Sequence, residues 1–441
     1  MRGHRLGIAL ATALLAVPAL AGCGGGGDES PPGSFRYSWW GSGERNERTQ
    51  AVIDLFEKAA PDSAIETEPT GDFNAYWEKL TVQSAAGGAP CAVQMQSRYM
   101  ADYSERNHLR PLDEYVANGS IDISGIPESI LETGKGSDGK LYSIPTGVFL
   151  YASLWNKDMA DQAGLPAPEP SWTWEQWEAW LRSAAAVLPE GKYAADLYPA
   201  TDFSGSFFNW VFSHGGQVFG PEGLAFDRQL LVDWWTMWDG LRRDGVTITT
   251  DMLIERGEAI EELPISTGVV LWNSQPQNQL PQTSAVAADN GVGAIGMTKL
   301  PNGPAGAGET FGSNGLSLST SCAEDDLPAA VRFIDFFLND PEAAMAYGST
   351  NGVVSVESLM QQQIDAPDVR PELREQLQLV QTIVRDYNPQ GLVVPVGGRA
   401  ASDAFTRAAQ SVFLGQASPD QAADAFLAEA AGAMRQAGRG N

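Results

Sequence analysis

The chain has little of what most metal centres and covalent catalysts need. It contains 3 histidines and 3 cysteines in 441 residues. His4 lies in the basic start of the leader, and neither His108 nor His214 has a Cys/His neighbour at zinc-type spacing, so no metal is expected. There is no G-x-x-x-x-G-K-[ST] phosphate loop and no G-x-S-x-G nucleophile elbow. The segment "GVGAIG", Gly291 to Gly296, fits the dinucleotide pattern letter for letter. Pro301 and further glycines follow where that motif would open a helix, so it reads as a tight β-segment and no cofactor is expected. Positive charge is scarce too. With 28 basic against 55 acidic residues the net charge is −27, which repels nucleic-acid phosphates and anionic lipid headgroups. Neutral ligands are untouched by that argument.

What is present begins with an export-type leader. Arg2, His4 and Arg5 precede an apolar run from Leu6 to about Leu20, too short to span a bilayer stably and followed by small residues. The sequence Leu20-Ala21-Gly22-Cys23 resembles the lipobox of bacterial lipoproteins, in which cleavage leaves Cys23 as a lipid-bearing N-terminus. The alternative is an ordinary cleaved signal with an incidental thiol. Gly24 to Ser34 is Gly, Pro and acid, a flexible tether. The expectation is a signal over 1–22, a lipidated cysteine and tether over 23–34, and a soluble body held by its lipid at the extracytoplasmic face of the cell membrane. Cys91 and Cys322 are the other thiols, and in an exported chain such a pair is more often bonded than free, with two buried free thiols as the alternative.

The body is 43% hydrophobic and long enough for about two domains or lobes. "FRYSWW" reads as a strand, Val52, Leu55, Phe56 and Ala59 as a helix face, "AIETEPT" as a second strand, Tyr76 to Ala86 as a second helix and "CAVQM" as a third strand. That alternation is an α/β fold with a parallel sheet, whose ligands sit beyond the carboxyl ends of the strands. Further along, Thr173 and Gln176 form a capping-box pattern, and Asp340 with Pro341 opens a helix. Trp174, Trp177, Trp180, Trp234, Trp235 and Trp238 fall at core spacing on helices.

Taken in order, "SWWG", "YWEKLTVQSAAGGAP", "DYSERNHLRPLDEY", "DGKLYSIPTG", "LWNKD", "SWTWEQW" and "AAVRFIDFFLNDPEAA" resemble the extracellular solute-binding proteins (family 1) of ABC importers, in the branch that binds sugars and oligosaccharides. The resemblance implies a two-lobe, type II periplasmic-binding-protein-like fold, each lobe a mostly parallel sheet flanked by helices. Lobe one would hold 35–142 plus 305–338 and lobe two 147–300 plus 345–441, with hinges near 143–146, 301–304 and 339–344. It implies a monomer that captures a carbohydrate between the lobes and delivers it to membrane permease subunits. Two positions depart from the pattern: Cys91 stands where the family usually has aspartate, which fits a bond to Cys322, and Ser143 replaces a glycine beside the first expected hinge.

A pyranose has apolar C–H faces and a rim of hydroxyls, so its site needs flat rings among planar polar groups. The resemblance places such contacts at Trp40, Ser42, Asp72, Phe73, Arg98, Tyr99, Trp155, Trp272, Asn273, Gln275, Gly312 and Ser313. Trp40, Trp155 and Trp272 are the expected platforms; Asp72, Arg98, Asn273 and Gln275 are the expected hydroxyl partners. Alternation puts Trp39 and Trp40 on opposite faces, and Trp39 continues the Phe35, Tyr37 series into the core. The rival readings are an exported carbohydrate-active hydrolase or lyase, and capture of a peptide or polyamine. Acids are so numerous that a carboxylate pair is uninformative, and the pattern as read is that of a binding protein without catalysis.

Overall fold

The computed structural model describes residues 33–439 apart from Ser42, Pro221, Glu222, Glu258, Asn388 and Leu392. The leader, Cys23, most of the tether and Ser42 therefore lie outside the described residues. The strands are β1 (Ser34–Trp40), β2 (Ala64–Thr70), β3 (Ala92–Gln96), β4 (Ile144–Phe149), β5 (Tyr151–Asn156), β6 (Tyr193–Ala195), β7 (Phe219–Gly220), β8 (Gly223–Leu224), β9 (Val270–Pro276), β10 (Ile295–Lys299), β11 (Thr310–Leu318), β12 (Val353–Val354) and β13 (Gln390–Gly391). The first helices are α1 (Gly43–Ala59), α2 (Phe73–Ala85) and, after a 3-10 turn at Ser97–Tyr99, α3 (Met100–Ser104).

A 7-stranded sheet runs β12-β4-β11-β3-β1-β2, with β13 paired to β11, and a 4-stranded sheet runs β10-β5-β9-β6. β1 pairs in parallel with β2 and β3, as the strand–helix alternation requires. The sheets as wholes are mixed, against the expectation of mostly parallel ones. β11 runs antiparallel to β3 and β4, and β5 runs antiparallel to β9 and β10, because these strands arrive from the other sheet and enter reversed.

The chain passes between the sheets through Leu150, through residues 300–309 and through residues 366–370, and beyond the helix Pro371–Asp386 it returns to the large sheet at β13 before leaving for the tail helices. The segment 143–146 instead leads into β4 inside the large sheet, where Ser143 is buried and donates from Oγ to the Leu316 carbonyl at 3.4 Å. The third crossing comes after residues 339–344, since β12 still pairs with β4 and the backbone amide of Met297 in β10 bonds Glu375 of the helix Pro371–Asp386. Two of the crossings have a fastening of their own. At the first, the Leu150 amide donates to Gln277 Oε1 at 2.8 Å, and the Gln277 amide donates back to the Leu150 carbonyl at 2.9 Å. At the second, buried Lys299 and Glu309 pair at 3.0 Å.

The helix-borne tryptophans behave as their spacing predicts. Trp174, Trp177, Trp234, Trp235 and Trp238 are all buried within 2% exposure, and Trp180 is 5% exposed. The Thr173/Gln176 capping box closes in both directions, and Asp340 caps the helix that Pro341 opens. Gly291 to Gly293 forms a turn before β10, and no helix follows. Cys91, just before β3, is bonded to Cys322, in the loop after β11.

Candidate functional site

The residues that follow β2 and β3 meet the small sheet across a cavity of about 700 Å³. At the end of β1, Gly41 has no room for a side chain. A Cβ on it would lie 2.6 Å from the Arg45 side chain, whose guanidinium donates to the Thr350 carbonyl at 3.0 Å. From the large sheet, α2 contributes Asp72 and Phe73 and the 3-10 turn contributes Arg98 and Tyr99. From the other side come Tyr151 at the start of β5, Asn273 and Gln275 in β9, and the loop with Tyr198 and Asp202. Arg256, and Arg399 with Asp403 on the helix Gly398–Phe413, complete the wall.

The expected residues divide into three groups. Asp72, Phe73, Arg98, Tyr99, Asn273 and Gln275 line the cavity, and Gly312 lines a small extension of it beside Phe149 and Leu150. Trp40, Trp155, Trp272 and Ser313 do not line it. Ser42 lies outside the described residues.

The three tryptophans are corrected for one reason, which is that both faces of these strands are covered. Trp40 packs against Phe73, Tyr76 and Trp77 at ring distances of 5.4, 5.2 and 5.6 Å, so it backs a cavity residue from behind. Trp272 is fully buried against Trp177 and Trp238, on the helix-covered face of β9, while Asn273 takes the opposite face. Trp155 is the register partner of Trp272 and shares its face. Ser313 is likewise buried, its hydroxyl accepting from Thr133 and its amide donating to Ser97 Oγ. The rings that do line the cavity include Phe73, Tyr99, Tyr151 and Tyr198.

The polar groups are held in place before any ligand arrives. Gln275 Nε2 donates to Thr283 Oγ1 at 2.7 Å, and Gln275 Oε1 accepts from Asn273 Nδ2 at 3.2 Å. That fixes the Asn273 amide, yet its Oδ1 is buried without a hydrogen-bond partner among the described residues. Ser274 Oγ and Arg256 Nε share that condition. Arg256 lies over the Tyr198 ring at 4.4 Å and 3.6 Å from the buried Asp196 carboxylate. Asp202 binds the Ser204 amide at 3.2 Å. Burial pushes the Asp202 carboxyl up, and a hydrogen bond from Tyr151 and the charge of Arg98 pull it back. Burial also drives the Tyr151 phenol well above its ordinary range, with the Asp202 charge adding to the effect. Arg98 itself is exposed toward the cavity.

Sequence reasoning missed Tyr151, Tyr198, Asp202, Arg256 and Arg399. A signal existed for Tyr198 and Asp202, which stand past the carboxyl end of β6, where open α/β sheets place their ligands, but not for Tyr151 at the amino end of β5. Arg256 and Arg399 carry no such signal; distant helical segments bring them in. Among the described residues there is no cluster of His, Cys, Asp and Glu fit to hold a metal, and no helix long and apolar enough to cross a membrane.

Two α/β sheets joined by several crossings, with a cavity of rings and fixed polar groups between them, define a two-lobed solute-binding protein. The model of the bacterial extracellular solute-binding protein family matches residues 51–370, and the chain belongs to that family. It is 32% identical over 143 residues to a sugar-binding periplasmic protein of Rhizobium meliloti (strain 1021), a match covering 31% of this chain and 32% of that protein. Two solved structures share the fold. The family 1 extracellular solute-binding protein of Alicyclobacillus acidocaldarius matches with a TM-score of 0.72 and 24% identity over 92% of this chain and 100% of that one. The periplasmic oligogalacturonide-binding protein of Yersinia enterocolitica, in complex with saturated digalacturonic acid, matches with a TM-score of 0.75 and 19% identity over 92% of this chain and 99% of that one.

Proposed function

We propose that the chain is a lipid-anchored, extracytoplasmic substrate-binding protein that captures a carbohydrate between its lobes and hands it to the permease of an ABC importer. The observation that carries this reading is the cavity wall. Asn273 Oδ1, Ser274 Oγ and Arg256 Nε are buried without hydrogen-bond partners among the described residues, close to the rings of Phe73, Tyr99, Tyr151 and Tyr198. Buried polar atoms left unpaired cost free energy, and sugar hydroxyls would relieve that cost while C–H faces cover the rings.

In this reading the large sheet with its helices is one lobe, the small sheet with its helices and the tail is the other, and the crossings between them are the hinges. Ligand contacts made from both lobes at once favour the closed arrangement, and the permease recognises the closed form. The chain acts as a monomer without catalysis, and Cys23 carries the lipid. A calorimetric and thermal-shift screen of mono- and oligosaccharides against the soluble body tests it. Stabilisation by one sugar class without turnover is expected; release of products would replace the reading with that of an exported carbohydrate-active enzyme. Cys23→Ala should move the protein from the membrane fraction to the medium.

A further inference from the structure

A second groove, of about 740 Å³, runs along the outer side of α2. It adjoins the inter-sheet cavity, with which it shares Asn74, Tyr99 and Arg399 as lining residues. Tyr99 stacks on Trp77 with ring centroids 3.9 Å apart and planes 24° apart, and Tyr103 follows at 5.8 Å from Trp77. A row of packed rings, each less than 9% exposed, therefore backs both the cavity wall and the groove wall. Polar groups border it. Tyr103 and Thr81 share a hydrogen bond at 2.9 Å, and Glu78 and Arg106 stand exposed on opposite walls. Asp102, partly buried, lies within the fields of Arg106 and Arg399. Rings edged by planar charged and hydroxyl groups repeat the chemistry of the main cavity.

We propose that the groove is an extension of the binding site, so that the ligand is an oligosaccharide longer than the inter-sheet cavity alone holds. Its far end lies against the Trp77–Tyr103 wall, and Arg399, Asn74 and Tyr99 form the neck through which it passes. Arg399 comes from the tail helix and Tyr99 from the large sheet, so a ligand threaded through the neck touches both sides of the cavity before it leaves. This rests on the carbohydrate reading above and adds length to it.

The test is calorimetry of the mature chain with glucan and galacturonan ladders from disaccharide to octasaccharide, together with an unfractionated polysaccharide hydrolysate whose retained members are sized by mass spectrometry. Affinity should rise with length until the groove is filled, and the hydrolysate should yield long members. Arg106→Ala should weaken the longest ligands about tenfold and leave the shortest unchanged. Glu78→Trp, which places a bulky side chain in the groove from an exposed helix position, should do the same, with circular dichroism confirming the fold. Short and long members bound equally tightly, or long ones indifferent to both variants, would overturn the extension and leave the carbohydrate reading standing. Failure of every ladder member and of the hydrolysate to bind would remove both.

Discussion

Arg98 and Trp40 stand a few ångströms of chemistry apart in purpose: one is exposed toward the cavity, the other is 5% exposed and holds Phe73 from behind. Trp40→Ala should lower the unfolding free energy by about 3–5 kcal/mol, read from denaturant titration, because the space it leaves is walled by three other rings. Arg98→Ala should leave the melting temperature nearly unmoved and weaken ligand binding. If the effects were reversed, Trp40 would be a platform after all. Asp202 gives a residue-scale prediction in pH. Burial raises its folded-state pKa above its unfolded value, so its contribution to stability is fully present at low pH and is lost as pH rises through the folded pKa. Asp202→Asn should therefore raise the melting temperature above the ordinary aspartate range, about pH 4, relative to the parent, and the difference should shrink in more acidic buffer. A pH-independent difference would show that the carboxylate is not the cause.

Among the elements, β3 and β11 are tied twice, by their antiparallel ladder and by the Cys91–Cys322 bond, which closes 231 residues of chain. The bond lies within one sheet, so it should stabilise that lobe without restraining closure. Replacing both cysteines by serine should cost about 2–5 kcal/mol in unfolding free energy and leave ligand affinity unchanged, and thiol titration of the native protein should find neither sulfur free. These elements also show how far sequence reasoning reaches. β1, α1, β2, α2 and β3 are local patterns, and "AIETEPT" becomes β2 at Ala64–Thr70 with its bounds unchanged. The crossings are not local. Nothing in "SIPTG" tells that Ile144 to Phe149 pairs with β11 and β12, because that depends on strands that follow much later in the chain. The site divides the same way: Asp72, Phe73, Arg98 and Tyr99 follow from strand ends, whereas the choice between Trp272 and Asn273 is set by which face of β9 the Trp177 and Trp238 helices cover.

For the whole molecule, the question is how two lobes move when several segments join them. Two of the crossings are fastened, by Gln277 against Leu150 and by the Lys299–Glu309 pair, so the proposed closure is a rotation about these points with their bonds kept. Saturation with the ligand should then reduce the radius of gyration in small-angle scattering, with no loss of secondary structure. Lys299 also donates to the Leu300 carbonyl at 2.7 Å and to Asn302 Oδ1 at 2.8 Å, which holds the ammonium inside the crossing. Burial raises the Glu309 carboxyl, and the charge of Lys299 draws it back toward ionisation. Removing one partner leaves the other charge buried and uncompensated. Glu309→Gln should cost about 3–5 kcal/mol in stability, whereas the double change Lys299→Met with Glu309→Gln should recover much of it, because the pair's desolvation cost disappears with it. The same double variant separates support from motion: if the pair only holds the crossing together, its ligand affinity and scattering change match the parent, and if the pair sets the pivot, stability recovers while the ligand-induced contraction is altered.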